Sequence, residues 1–475
     1  MFTYDFSDIK KPLYQHLYDC IKSDILGGVL KSGEKLPSKR SLSKNLNLSV
    51  VTVENAYNQL LDEGYIFSEP KKGFYVAEIL RPQLLDHGKS SSSSVNHAIA
   101  FEVSYPDAQN FFNFSSNSSP EETFPFSIWA RLMRESITKR KNDALQNVTC
   151  SGLEELRCAI ASHLASFRGM FVRPEQIIVG AGTEYLYGLL IQLLGRDKIV
   201  CLENPGYKKI ANIYESNGVK FVFCNLDEKG IKVDEISRTG ADIIHSSPTH
   251  HFPTGITMSA DRRYELLRWA HQKEDRYVIE DDYDSEFRLN GRPIPSLQSL
   301  DDSGSVIYMN TFSKSLAHTI RISYMVLPPE LVRKFYENLS FYTCTVSNFE
   351  QYTLARFISE GYFEKHINRM RLFYGRKRQT VLDLISKVFR PDEYRVIEKD
   401  SGLHFILYLN TKKSDDDFVK DLESQNIRIT PLISFYSETE SLEKEIFEHK
   451  FIINYSNIDI SLLEKNLQII KNMLK

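Results

Sequence analysis

Val306-Ile-Tyr-Met-Asn-Thr-Phe-Ser-Lys314-Ser-Leu-Ala-His-Thr-Ile-Arg321 is the stretch that decides the fold of most of this chain. The apolar run Val306–Met309 predicts a buried strand, and the turn Thr311-Phe-Ser-Lys314 sets one amine just beyond its end. Thr311 and Ser313 add hydroxyls. Arg321, seven residues after the lysine, adds a guanidinium fork that matches a phosphate group. Working outward, Ile177–Val179, Lys198–Leu202, Lys220–Phe223, Asp242–His245 and Tyr277–Glu280 are also short and apolar, with helical patterns between most of them. That alternation predicts an α/β body around a largely parallel sheet, in which ligands sit at the carboxyl ends of the strands.

The loops at those ends carry the unusual residues. Lys314, so placed, can form a Schiff base with a carbonyl cofactor, and pyridoxal 5'-phosphate is the candidate. Gly180-Ala-Gly182-Thr183-Glu184 joins a strand to the helical run Tyr185–Leu194, so its backbone N–H groups are expected at a helix N-terminus that can hold the same phosphate. Asp281 ends the strand Tyr277–Glu280, where a carboxylate can pair with a protonated pyridine nitrogen. The neighbouring acids Glu280 and Asp282 leave that choice open. Tyr283 is expected at the phenolic oxygen of the ring, and Tyr207, in Asn204-Pro-Gly-Tyr207, against its face. His250 and His251 are adjacent, but no third ligand has metal-type spacing, so no metal is expected.

A different module precedes this body. Leu13, Leu17, Ile21 and Ile25 mark one helix face that ends at Gly27-Gly28. Ser38 is placed to cap a second helix with Leu42 and Leu46 inward, and Asn47 breaks it. Ser49 is placed to cap a third, with Val53, Ala56, Tyr57, Leu60 and Leu61 on one stripe, stopping at Gly64. Tyr65–Phe67 and Phe74–Val76 are expected to pair around a tip carrying Lys71 and Lys72. Three helices and a basic-tipped hairpin make a winged helix-turn-helix. Gly88-Lys89 and five serines follow, a linker by composition. The expected domains are 1–80 for DNA binding, 81–105 for the linker and 106–475 for the body.

The 475 residues are 42% hydrophobic and 25% charged, an ordinary globular composition of more than one domain. Net charge is -3, and residues 1–80 hold ten basic and ten acidic side chains, so DNA binding must rest on local motifs. Six scattered cysteines, no signal pattern and no long apolar run suit a cytoplasmic protein without a membrane span.

Leu36-Pro-Ser-Lys-Arg40, Leu46–Tyr57, Glu63-Gly-Tyr65, Pro248-Thr-His-His-Phe-Pro-Thr-Gly255, Glu280-Asp-Asp-Tyr-Asp-Ser-Glu-Phe-Arg288 and Thr311-Phe-Ser-Lys314 together resemble the MocR-type regulators, most of all those of pyridoxine synthesis. In that family a GntR-like winged helix is fused to a fold-type-I aminotransferase-like body. The resemblance covers nearly the whole chain. It implies a transcription factor holding pyridoxal phosphate through Lys314, Asp281, Tyr283, Tyr207 and Arg321, with Gly182, Thr183, Glu184, Thr311 and Ser313 around the phosphate. It also implies a head-to-tail homodimer on double-stranded promoter DNA. Ser38, Lys39 and Arg40 are expected at DNA phosphates, Ser49, Val50, Thr52 and Tyr57 on the reading helix, and Lys71 and Lys72 on the wing.

Three departures shape the functional expectation. Ile452 stands where family members commonly carry a carboxylate-binding arginine, with Arg428 and Lys209 as possible substitutes. Leu48-Ser49-Val50 replaces Val-Ser-Arg, removing one cation from the DNA face. Asn147 falls where aminotransferases commonly have a tyrosine that reaches the neighbouring subunit. The leading expectation is therefore a regulator that senses pyridoxal phosphate itself, and so vitamin B6 status. The alternatives are a sensor of an amino acid such as γ-aminobutyrate, or a working aminotransferase.

Overall fold

The computed structural model describes residues 4, 6, 11–79, 111–115, 123–289, 294–397, 402–437 and 447–474. The chain divides into two compact units, Met1–Val103 and Ser104–Lys475. The linker expected over 81–105 lies outside the described residues.

In the first unit, helices α1 (Leu13–Gly27), α2 (Lys39–Leu46) and α3 (Val50–Asp62) precede strands β1 (Ile66–Glu69) and β2 (Gly73–Val76). Helix α1 buries Leu17, Tyr18, Ile21 and Ile25 and ends on Gly28 at φ 77°. Ser38 and Ser49 cap the next two helices, accepting from the Ser41 and Thr52 amides at 3.2 and 3.0 Å. Asn47 closes α2 in the left-handed region, which asparagine tolerates. The hairpin pairs antiparallel from Ile66↔Val76 to Glu69↔Gly73, leaving Lys71 and Lys72 at its tip.

The second unit opens with a short strand β3 (Phe112–Asn113) and is built on an eight-stranded sheet. Its strands are β4 (Ile177–Gly180), β5 (Ile199–Asn204), β6 (Lys220–Asp227), β7 (Gly230–Ile231), β8 (Ile243–Ser246), β9 (Tyr277–Asp281), β10 (Val306–Thr311) and β11 (Ser323–Val326). Their order is β4-β11-β10-β9-β8-β5-β6-β7. The run from β10 to β6 is parallel, while β11 is antiparallel to both β4 and β10. Alternate residues feed opposite cores, as strand geometry requires. Ile279, Ile307 and Met309 pack on one face, and Val278 and Val306 on the other.

Four further strands, β12 (Tyr394–Ile397), β13 (His404–Leu409), β15 (Thr430–Pro431) and β16 (Lys450–Asn454), make a second sheet, while β14 (Ile427–Arg428) pairs with β3. Neither this sheet nor β11 was among the strands expected from sequence.

Candidate functional site

Strands β5, β8, β9 and β10 end around one cavity of about 280 Å³. Thr183, Glu184, Tyr207, Asp281, Tyr283, Thr311, Ser313, Lys314 and Arg321 line it, so the loops that looked unusual in sequence converge. Gly182 closes the same corner at φ 94°, and a Cβ there would stand 2.9 Å from the Arg321 guanidinium carbon. Only glycine leaves that corner open.

Lys314 lies on the short helical turn Phe312–Ser315 that follows β10. Burial pushes its ammonium down to about 8, and the Asp284 carboxylate offsets part of that effect. A buried amine so adjusted is a competent nucleophile near neutral pH. The two hydroxyls of the turn differ. Ser313 donates to the Ile320 carbonyl at 3.1 Å and so braces the loop. Thr311 accepts from the Ser313 amide at 3.2 Å and from Ser323 at 2.8 Å, which leaves its own proton available.

The three consecutive acids separate by strand alternation. Asp281 faces the cavity and accepts from the Tyr187 hydroxyl at 2.7 Å, with His245 Nε2 at 3.7 Å. Tyr214 stands 3.1 Å from the other nitrogen of His245. Glu280 points away and accepts from the Leu297 and Gln298 amides at 2.8 and 2.9 Å. Asp282 pairs with buried Arg168 at 2.9 Å and accepts from Tyr308 at 2.6 Å. Asp281 is thus the acid of the three that meets the cavity.

Arg321 and Lys209 both pair with Glu184, one on each carboxylate oxygen. Glu184 therefore neutralises the cations beside the helix Thr183–Leu194 rather than adding a donor to them. Tyr207 is half-exposed, edge-on to Phe252 at 6.0 Å. Tyr283 lies 3.2 Å from His250 Nδ1, which is 2.8 Å from Asp284. His251 contacts Thr254 at 2.7 Å. Among the described residues no cluster of three or more His, Cys, Asp or Glu is arranged to hold a metal.

Ile452 is buried in an apolar cluster with Ile406, Leu432 and Tyr436. Arg428 does not replace it: that guanidinium stands over the Phe111 ring at 4.2 Å and 3.6 Å from Glu423. Lys209 lines the cavity but is held by Glu184. Asn147 is exposed.

In the first unit Arg40, Ser49, Val50, Lys71 and Lys72 are exposed, and Thr52 is half-buried. Lys39 pairs with Glu54 at 2.7 Å, and Lys72 with Glu69 at 2.9 Å. Tyr57 is a correction. It is 0% exposed and donates to the Pro37 carbonyl at 2.9 Å, so it packs the interior instead of meeting DNA.

Tyr187, His245 and Asp284 are site residues that the sequence reading passed over. Tyr187 lies four residues after Thr183, on the same helix face. His245 ends the strand expected over Asp242–His245, which was a usable signal. Asp284 was hidden among neighbouring acids.

Comparison with known proteins bears on both units. Residues 13–76 match the model for bacterial regulatory proteins of the gntR family, and residues 109–445 match aminotransferase class I and II. The uncharacterized HTH-type transcriptional regulator YdeL of Bacillus subtilis is 36% identical, with 90% of each chain covered. The probable rhizopine catabolism regulatory protein MocR of Rhizobium meliloti is 30% identical over 98% of this chain and 94% of its own.

The chain belongs to the MocR-type regulators.

A further relative of this MocR-type chain is the pyridoxine biosynthesis transcriptional regulator PdxR of Corynebacterium glutamicum, 29% identical over 89% of this chain and 88% of that one. Among solved structures, kynurenine aminotransferase of Pyrococcus horikoshii, in complex with PMP and kynurenine, matches with a TM-score of 0.66 at 25% identity. That match covers 78% of this chain and 92% of the other. The MocR-type body therefore has the type I aminotransferase fold, joined to a GntR winged helix. Among the described residues no helix is long and apolar enough to cross a membrane.

Proposed function

We propose that this regulator binds promoter DNA through its winged helix and senses pyridoxal phosphate, and with it vitamin B6 status, through a covalent tether to Lys314. The observation that carries the reading is the buried, pKa-lowered Lys314 in one cavity with Asp281 and the Arg321 corner. The residues fit the group. The Gly182 corner is one that a Cβ would fill, two cations stand beside a helix N-terminus, and a carboxylate lies in the same cavity. When bound, the cofactor supplies an aldehyde and an electron-withdrawing ring.

In this reading Arg321, Thr311 and the Thr183 amide at the helix N-terminus hold the phosphate, with Ser313 bracing the loop. Asp281 pairs with the ring nitrogen, Tyr283 meets the phenolic oxygen and Tyr207 covers a ring face. Residues 1–80, 81–105 and 106–475 act as reader, linker and sensor in a cytoplasmic homodimer. The apolar surroundings of Ile452 weigh against efficient turnover of ordinary amino acids.

The test uses duplex DNA selected by the purified chain. Pyridoxal phosphate should change its affinity in wild type and leave it unchanged in Lys314→Ala. An unchanged wild-type affinity, with a response to an amino acid instead, would overturn the sensing assignment.

A further inference from the structure

The cavity that Lys314 lines has walls of opposite character. At one end Lys209 and Arg321 gather around Glu184. At the other the nearby charges are acidic. Asp281 and Glu203 line the wall that Tyr283 shares, and Asp284 lies behind it, 2.8 Å from His250. Asp284 also acts on Lys314 itself.

The imidazoles at this acidic end do not supply a cation. Burial drives His404 and His251 down to about 3, so both are neutral at physiological pH. His250 is already engaged by Asp284 at 2.8 Å. Lys208, which also lines the cavity, is solvent-exposed.

The wall there is greasy. Phe252 lines the cavity, with its ring 5.1 Å from His404 and 5.2 Å from Phe435. It packs in turn on the buried cluster that contains Ile452. A carboxylate brought to this end would lose water and meet like charge, and among the described residues lining the cavity it finds no guanidinium besides Arg321 at the other end.

We infer that the cavity beyond Lys314 admits primary amines with apolar substituents and turns away α-amino acids of the same side chain. The inference rests on the reading of Lys314 as the cofactor tether.

The full-length chain is loaded with pyridoxal phosphate and its visible absorbance band is followed. Two matched pairs are titrated: 2-phenylethylamine against L-phenylalanine, and 3-methylbutylamine against L-leucine. Concentrations are expressed as unprotonated amine, which removes differences in basicity. Each amine should perturb the band at about tenfold lower concentration than its amino acid, or less still. An amino acid acting at equal or lower concentration in either pair overturns the inference, as does silence from both amines. A chain that never develops the band, or develops it equally in Lys314→Ala, sinks the tether reading instead, so the two failures are distinct.

Discussion

The Tyr187 hydroxyl donates to the Asp281 carboxylate at 2.7 Å, so a helix following β4 fixes an acid at the end of β9. A hydrogen bond to a charged group contributes roughly 1.5–3 kcal/mol, and a neutral one about 1. Asp281→Ala should therefore weaken pyridoxal phosphate binding by about 10- to 100-fold, and Tyr187→Phe by less than about tenfold. Absorbance titration measures both. An unchanged affinity in Asp281→Ala would remove Asp281 from the site.

Glu184 holds Arg321 and Lys209 at the same corner. Ion pairs this open to solvent are worth about 0.2–1 kcal/mol. Glu184→Gln should free both cations and tighten pyridoxal phosphate binding up to about fivefold in equilibrium dialysis. Weaker binding would mean that Glu184 positions the cations rather than competing for them.

Lys314 gives a pH signature in the cofactor-free chain. Its pKa falls on folding from 10.5 to about 8. Between those values the unfolded chain binds more protons than the folded one, so this group makes stability rise with pH across that window. Below it the full penalty of the buried ammonium applies, at most about 3 kcal/mol. Lys314→Met should be the more stable protein at pH 7, with the gap shrinking as pH climbs from 8 towards 10.5. Denaturant unfolding at several pH values reads this out. A gap independent of pH would contradict it.

Arg40 is exposed in the first turn of α2. Arg40→Ala should lower DNA affinity across sequences and flatten the log–log salt slope by about one unit. Binding isotherms over a salt series test this, and an unaltered slope would rule out a phosphate contact.

Tyr57→Phe separates packing from recognition. The lost bond to the Pro37 carbonyl should cost about 1 kcal/mol of stability, with no change in salt slope or DNA affinity among folded molecules. Reduced affinity at unchanged stability would return Tyr57 to the DNA surface.

The strands around the cavity were legible because parallel strands buried on both faces read as continuous apolar runs. The helix caps Ser38 and Ser49 were legible because a short hydroxyl side chain before an apolar period has one dominant use. Strand β11 and the second sheet were not, since no ligand-type loop follows them to draw attention. Tyr57 shows two signals in conflict. Its place in the motif suggested DNA, while its place on the Val53–Leu60 stripe put it inside, and the stripe describes it. The choice among Glu280, Asp281 and Asp282 needed the strand's phase relative to the core, which local sequence does not contain.

That phase has an evolutionary consequence. Glu280 and Asp282 are bound to partners on one face of β9, while Asp281 serves the other. Shifting the strand by one residue would exchange the faces of all three side chains at once. Glu280 and Asp282 would lose their partners, and Asp281 would leave the cavity. Length at β9 is therefore under tighter constraint than composition, and lineages of this chain should tolerate single replacements there far better than a one-codon insertion or deletion.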